Sequence, residues 1–193
     1  DIFGENKLDT LNNVMLEFAA KTNYDNLEFV ISLSTAEYKK WTQNKETLKS
    51  NKKLDFTVIA SEKNQFSKSV NAAVSATTGA FIAIINPDLK ICSSRWIQIM
   101  VSRLQQPGVS VVGPKILNYD KSLYSAGLVL RRDASPMHSH MNHPKGIMGY
   151  FGQLGIACNC SALSIDFLVT SRDLFEEFGQ LDEDLSSPYT ETD

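Results

Sequence analysis

Four groups of side chains have the types and spacing to do chemistry. Asp88 stands directly after Phe81-Ile82-Ala83-Ile84-Ile85, an unbroken apolar run closed by Asn86-Pro87. Ligands of open α/β sheets bind at the carboxyl ends of the strands, so a carboxylate there can meet one. With 19 Lys+Arg against 22 Asp+Glu the chain has no cationic surplus to neutralise a diphosphate. A divalent ion held by one or two carboxylates is the device that would. By residue type Asn86-Pro87-Asp88 is equally a good turn. His138, His140 and His143 put three imidazoles in a short stretch, and the last two are spaced to chelate zinc, with Cys158 or Cys160 as further ligands. Structural zinc sites use tighter pairs and polar loops collect histidines, so the loop reading is preferred; a neutral histidine there could otherwise contact a diphosphate. Cys158-Asn159-Cys160 lacks the C-x-x-C redox spacing and Cys92 follows a strand-like run, so the thiols read as structural. Asp182-Glu183-Asp184 reads as a solvated turn, and Arg172 as a helix-start anchor or partner of such acids.

The rest of the composition narrows the class. The chain has 193 residues, 42% hydrophobic and 9% aromatic, with net charge −3, which suits one soluble domain with a real core. It is too apolar for disorder and too acidic for binding driven by nucleic-acid phosphates. The apolar stretch from Ala80 to Ile85 is far short of the roughly 20 residues that span a bilayer, and no signal peptide is visible. The odd cysteine count favours a reducing compartment, so a cytoplasmic protein is expected, with a place at the inner face of the membrane left open. Neither a G-x-G-x-x-G after a strand nor a phosphate-binding G-x-x-x-x-G-K-[ST] occurs, which disfavours dinucleotide and P-loop enzymes.

These residues need elements to hold them. Leu8, Leu11, Met15, Phe18 and Ala19 predict a helix over about Thr10 to Lys21. Leu27 to Leu33 reads as a strand, and Ser34-Thr35-Ala36-Glu37 as a capping box opening a helix with Tyr38 and Trp41 inside. Gln43 to Lys53 is polar, a solvated helix end or loop. Leu54 to Ala60 predicts a second strand, and Ser67 the cap of a helix that buries Val70, Ala73 and Val74 and stops at Gly79. Phe81 to Ile85, apolar on both faces, predicts a strand inside a parallel sheet with helices above and below. Ser93 or Ser94 should cap a helix with Trp96, Met100 and Leu104, broken at Pro107-Gly108 before a strand over Val109 to Val112. Later come one hairpin-like segment (Leu123 to Leu130), a long polar loop, a strand (Ala162 to Thr170) and a short helix (Asp173 to Phe178) stopped by Gly179. The alternation predicts a doubly wound α/β domain with a mostly parallel sheet and helices on both faces. Residues 1–193 read as a single domain, and both ends look cut, as if from a longer chain.

Asn71, Gly79 and the apolar strand running into Asn86-Pro87-Asp88 resemble family 2 glycosyltransferases of the GT-A fold, particularly the rhamnosyltransferase-like, cell-wall polysaccharide branch. Val111-Val112-Gly113-Pro114-Lys115-Ile116-Leu117, Tyr124-Ser125-Ala126-Gly127, Arg172, Phe175, Gly179 and Leu181-Asp182-Glu183 follow in the family's order over roughly Leu8 to Asp193. The resemblance implies a glycosyl or hexosyl transfer from a nucleotide-diphosphate donor to an acceptor hydroxyl with inversion, in polysaccharide or glycoconjugate synthesis. Its implied partners are the nucleotide sugar and a saccharide or glycolipid acceptor. Asp88 would be the metal ligand of a "D-x-D"-like motif, holding Mg²⁺ or Mn²⁺ against the diphosphate. Glu191, then Asp193, would be the base. Asn71 and Asn86 are carried over as substrate-binding positions.

Departures from the family pattern mark the donor and acceptor sides. The second strand usually ends in an Asp followed by Ser-Thr-Asp, whereas this chain has Ile31, Ser32 and Ala36 there. Ile31 has no acceptor to offer a base or ribose. Glu62-Lys63-Asn64-Gln65-Phe66 puts Lys63 where an amide is usual, a cation that could meet a phosphate. Ile165 and Asp166 replace a small pair, adding bulk and charge near the acceptor. The lost acids motivate a second reading, a degenerate non-catalytic binding or scaffold domain of a larger protein.

Overall fold

The structure, a computed structural model, describes residues 7–43, 56–61 and 66–185. Helix α1 (Lys7–Lys21) leads into strand β1 (Phe29–Ser34) and helix α2 (Thr35–Gln43). The capping box forms as its residues dictate. Ser34 N–H donates to Glu37 Oε2 (3.1 Å), and Glu37 N–H returns to Ser34 Oγ (3.4 Å). Tyr38 and Trp41 lie ring against ring at 5.7 Å. Strand β2 (Phe56–Ser61) runs parallel to β1, Phe29 opposite Phe56 and Ser34 opposite Ser61. Most of the expected loop after Gln43 lies outside the described residues.

Helix α3 (Phe66–Ser75) packs on β1 and β2. Ser67 is not its cap. It sits inside the first turn, buried, with Phe66 already helical. The helix also ends at Ser75, where Thr77 Oγ1 donates to Val74 O (2.7 Å), before Gly79 is reached. Strand β3 (Phe81–Ile85) then enters a sheet with β4 (Val111–Val112) and β9 (Phe167–Ser171) in the order β3-β9-β4. Strand β9 is antiparallel to both neighbours, so the expected parallel setting of the apolar run is corrected. β3 and β4 do point the same way, joined through α4 (Trp96–Leu104), but the late strand β9 fills the slot between them. An apolar run does not report which way the neighbour runs, and here Phe81 and Ala83 on one face stay exposed.

The two faces are clad differently. Ile82 and Ile84 meet Val74 of α3 and Phe175 of α5 (Arg172–Glu177). On the other face Phe167 and Val169 pack with Phe18 of α1 and Met100 of α4, and Trp96 meets the Phe167 ring edge-on at 5.1 Å. No side chain caps α4. Arg95 holds the cap position and Trp96 N–H reaches Ser93 O (3.3 Å), so the hydroxyls of Ser93 and Ser94 are not the device expected.

Leu123 to Leu130 is not one hairpin. Strand β6 (Leu123–Ser125) pairs with β5 (Ile116–Leu117), and β7 (Leu128–Leu130) with β8 (Pro136–His138). Gly127 makes the break between them. Its φ is +91°, and a Cβ there would meet Cys160 Cβ and Sγ at 2.8 Å.

Candidate functional site

Three of the residues singled out in the sequence meet where β3 ends and β9 begins. Because the two strands are antiparallel with Ile85 opposite Phe167, Asn86 leaves one strand beside Asp166 entering the other. Asn86 N–H donates to Asp166 O (2.7 Å), and Asn86 Nδ2 to Asp166 Oδ1 (2.8 Å). Asn86 Oδ1 accepts the backbone N–H of Asp88 (3.0 Å), an Asx turn that sets where the Asp88 side chain starts. Ser164 Oγ donates to the other oxygen, Asp166 Oδ2 (2.9 Å), and accepts from Asp166 N–H (3.3 Å). Ser164 itself is buried. Asp88 thus ends a chain of hydrogen bonds running Ser164, Asp166, Asn86, Asp88, with its own residue exposed. Asp88 is both a turn residue and a carboxylate at the strand's end. Ser164 escaped the sequence reading; its signal was the Ser-x-Asp spacing, which places a hydroxyl on the carboxylate two residues on.

The chemistry of this donor set is that of hard oxygen ligands. Asp166 spends both carboxylate oxygens on protein donors, whereas the Asp88 carboxylate faces solvent. Among the described residues no three His, Cys, Asp or Glu side chains gather into a group that could hold a metal. The exposed Asp88 could supply one oxygen ligand to a cation whose remaining ligands came from elsewhere.

Asn71 joins a different cluster. Its Nδ2 donates to Leu181 O (2.9 Å) and Glu183 Oε1 (3.2 Å), and its Oδ1 accepts Leu181 N–H (3.1 Å). The buried amide thus clamps the Leu181-Asp182-Glu183 turn to α3, beside an open cleft lined by Phe178 to Glu183. Arg172 is an anchor, as expected. Its Nε donates to Gly79 O (2.9 Å), its Nη1 to Val74 O (3.3 Å), and its other nitrogen to Thr77 Oγ1, with Glu176 as ion-pair partner at 3.2 Å. Lys63, Glu191 and Asp193 lie outside the described residues.

Two of the histidines, His140 and His143, are engaged locally. His140 Nδ1 meets Ser139 Oγ (2.5 Å) and its Nε2 meets Gln153 (3.0 Å). His143 Nδ1 donates to the carbonyls of His140 (3.1 Å) and Met141 (3.2 Å), which requires a proton on that nitrogen. The His138 ring lies tilted against Tyr124 at 4.5 Å, and its buried Nδ1 has no hydrogen-bond partner among the described residues.

The strand order, the helices on both faces and the carboxylates at the exit of β3 define a mixed α/β protein of the GT-A-like glycosyltransferase fold. The chain belongs to glycosyl transferase family 2, whose model matches residues 6–178. It is 34% identical over 113 residues to the uncharacterized protein y4gI of Sinorhizobium fredii, covering 58% of this chain and 12% of that protein. It is 27% identical over 114 residues to the O-antigen biosynthesis protein RfbC of Myxococcus xanthus, covering 58% and 9%. A solved structure of similar fold is the mannosyltransferase PcManGT of Pyrobaculum calidifontis, in complex with GDP-Man and Mn²⁺. The match has a TM-score of 0.57 at 15% identity and covers 98% of this chain and 48% of that one. The chain thus spans a small part of these curated relatives and about half of the solved structure.

Proposed function

We propose that this chain is a glycosyltransferase domain, one unit of a longer protein, that moves a sugar from a nucleotide-diphosphate donor to an acceptor hydroxyl with inversion. The observation that carries the reading is Asp88, held at the carboxyl end of β3 by Asn86 and Asp166 in a family 2 chain. A divalent ion, Mg²⁺ or Mn²⁺, would be held by Asp88 and would offset negative charge on the diphosphate. The GDP-Man and Mn²⁺ bound by PcManGT support that donor class and ion. The match to RfbC supports a place in polysaccharide synthesis, and the motif order favours the rhamnosyltransferase-like branch. The acceptor oxygen attacks the anomeric carbon as the bond to the diphosphate breaks. The bonding pair leaves with the phosphate oxygen, and the acceptor proton passes to Glu191, with Asp193 as the alternate base. Lys63 meets the donor phosphates, and Asp166 adds charge beside the acceptor. We place the protein in the cytoplasm.

A second reading is a non-catalytic scaffold, favoured by the end of β1. There Ile31 and Ala36 stand in place of acids, and the Glu37 carboxylate takes the Ser34 hydroxyl (2.7 Å). Titrating nucleotide sugars by calorimetry with and without Mn²⁺ separates the two. The transferase binds a member of the panel in a metal-dependent way that Asp88→Ala abolishes, and turns over acceptor in a way that Glu191→Gln abolishes. Absence of binding across the panel selects the scaffold.

A further inference from the structure

The segment after the Ser122–Pro144 bridge displays apolar side chains that the fold does not cover. In the 3-10 segment 150–155 Tyr150 is 76% and Phe151 90% exposed, their rings edge to face at 4.5 Å. Ile156 (69%) and Met148 (59%) flank them. Phe151 adopts φ 49°, ψ 30°, a left-handed backbone that a bulky residue rarely takes, between Gly149 (φ 68°) and Gly152 (φ 76°). The backbone of the tip is nonetheless fastened. Leu154 N–H donates to Met148 O (2.9 Å), Lys115 Nζ to Leu154 O (2.6 Å), and Leu154 is buried. A strained, anchored turn that lifts two aromatic rings into water gains nothing within the chain.

Charge says what the tip meets. The protein is acidic overall, yet between positions 109 and 162 five Lys and Arg face two Asp. The antiparallel bridge Ser122–Pro144 sets Lys121 across from Lys145, both exposed, at the root of the aromatic loop. Asp120 is turned back onto the Ser122 N–H (2.8 Å) and hydroxyl (2.7 Å). Aromatic and aliphatic side chains projecting beyond a paired basic root match an anionic bilayer: the rings enter the interface and the lysines meet headgroup phosphates. A protein partner would instead need a pocket to receive a tip that stands this free. We propose that the 145–156 loop docks the protein on an anionic lipid surface. This names a contact for the place at the inner face of the membrane that the sequence leaves open, and it does not depend on the sugar-transfer reading.

The test is co-sedimentation of the purified protein with vesicles of phosphatidylcholine, or of phosphatidylcholine with phosphatidylglycerol, in the absence of donor and metal. Binding is expected to the anionic vesicles and to fall with salt. Lys121→Gln and Lys145→Gln should each weaken it about fivefold, and Tyr150→Ser with Phe151→Ser at least about tenfold. Phe151→Trp guards against misfolding of the polar variants: its added indole should be quenched by brominated lipid beyond the level in the parent chain. Equal binding to neutral vesicles, unchanged binding of the Tyr150/Phe151 variant, or no added quenching overturns the proposal. Self-association that the same variant abolishes, without vesicle binding, assigns the patch to a second copy and likewise overturns it. Because no nucleotide sugar is present, either result leaves the Asp88 experiment untouched.

Discussion

At the scale of the residue, the candidate site depends on a carboxylate whose two oxygens both accept protein donors. Asp166 offers one oxygen to Asn86 and the other to Ser164. Asp166→Asn keeps the shape but leaves one acceptor oxygen where two are needed, so one donor goes unmet. Hydrogen bonds to a charged group are worth about 1.5–3 kcal/mol. If Asn86 orients Asp88 through Asp166, metal-dependent donor binding should weaken about tenfold or more, measured by calorimetry, with metal-independent nucleotide binding unchanged. An equal loss in both measurements would show general damage to the pocket and not a positioning role.

Among the elements, turns and caps carry predictions of their own. Ser171 caps α5, its Oγ accepting Leu174 N–H (3.3 Å). Ser171→Ala should cost about 1 kcal/mol in urea unfolding. In the turn between β7 and β8, Asp133 Oδ1 accepts the Ser135 hydroxyl (2.6 Å) and N–H (3.0 Å). The Ser135 hydroxyl bond first, then its backbone bond, holds the Asp133 carboxyl below its ordinary acidity value, and Arg131 lowers it further. A carboxyl depressed in the folded state stabilises the turn above its unfolded value, and that contribution is lost as pH falls through the folded one. Carboxyl-carbon NMR should therefore show Asp133 titrating low, and Ser135→Ala should move it back up. A midpoint that stays put in the variant would rule the hydroxyl out as the cause.

Taking the molecule whole, β9 is the piece that joins its parts. Phe167 is buried among α1, α4 and β3 residues and directly follows Asp166. Phe167→Ala should cost about 3–5 kcal/mol and shift the entire urea transition, because both its core contacts and the sheet pairing run through this strand. A transition that splits, with the β1–β2 unit retaining its midpoint, would show instead that the halves unfold separately.

What the sequence determined by itself is what local chemistry controls. The Ser34–Glu37 box, the break after Leu104, Gly179 ending α5 and the turn at Asn86-Pro87-Asp88 each depend on residues within one or two turns of chain. Asn86, Asp88 and Asp166 could be singled out by type and order. The tertiary structure alone decided that Asp166 lies against Asn86, since that requires β9 to insert antiparallel between β3 and β4, a pairing across 80 residues. It also decided that Asn71 is spent on the Leu181 turn and that Phe151 stands in solvent. Periodicity records which faces are apolar, but partner and strand direction are chosen by packing among distant segments, each apolar enough to fit more than one neighbour.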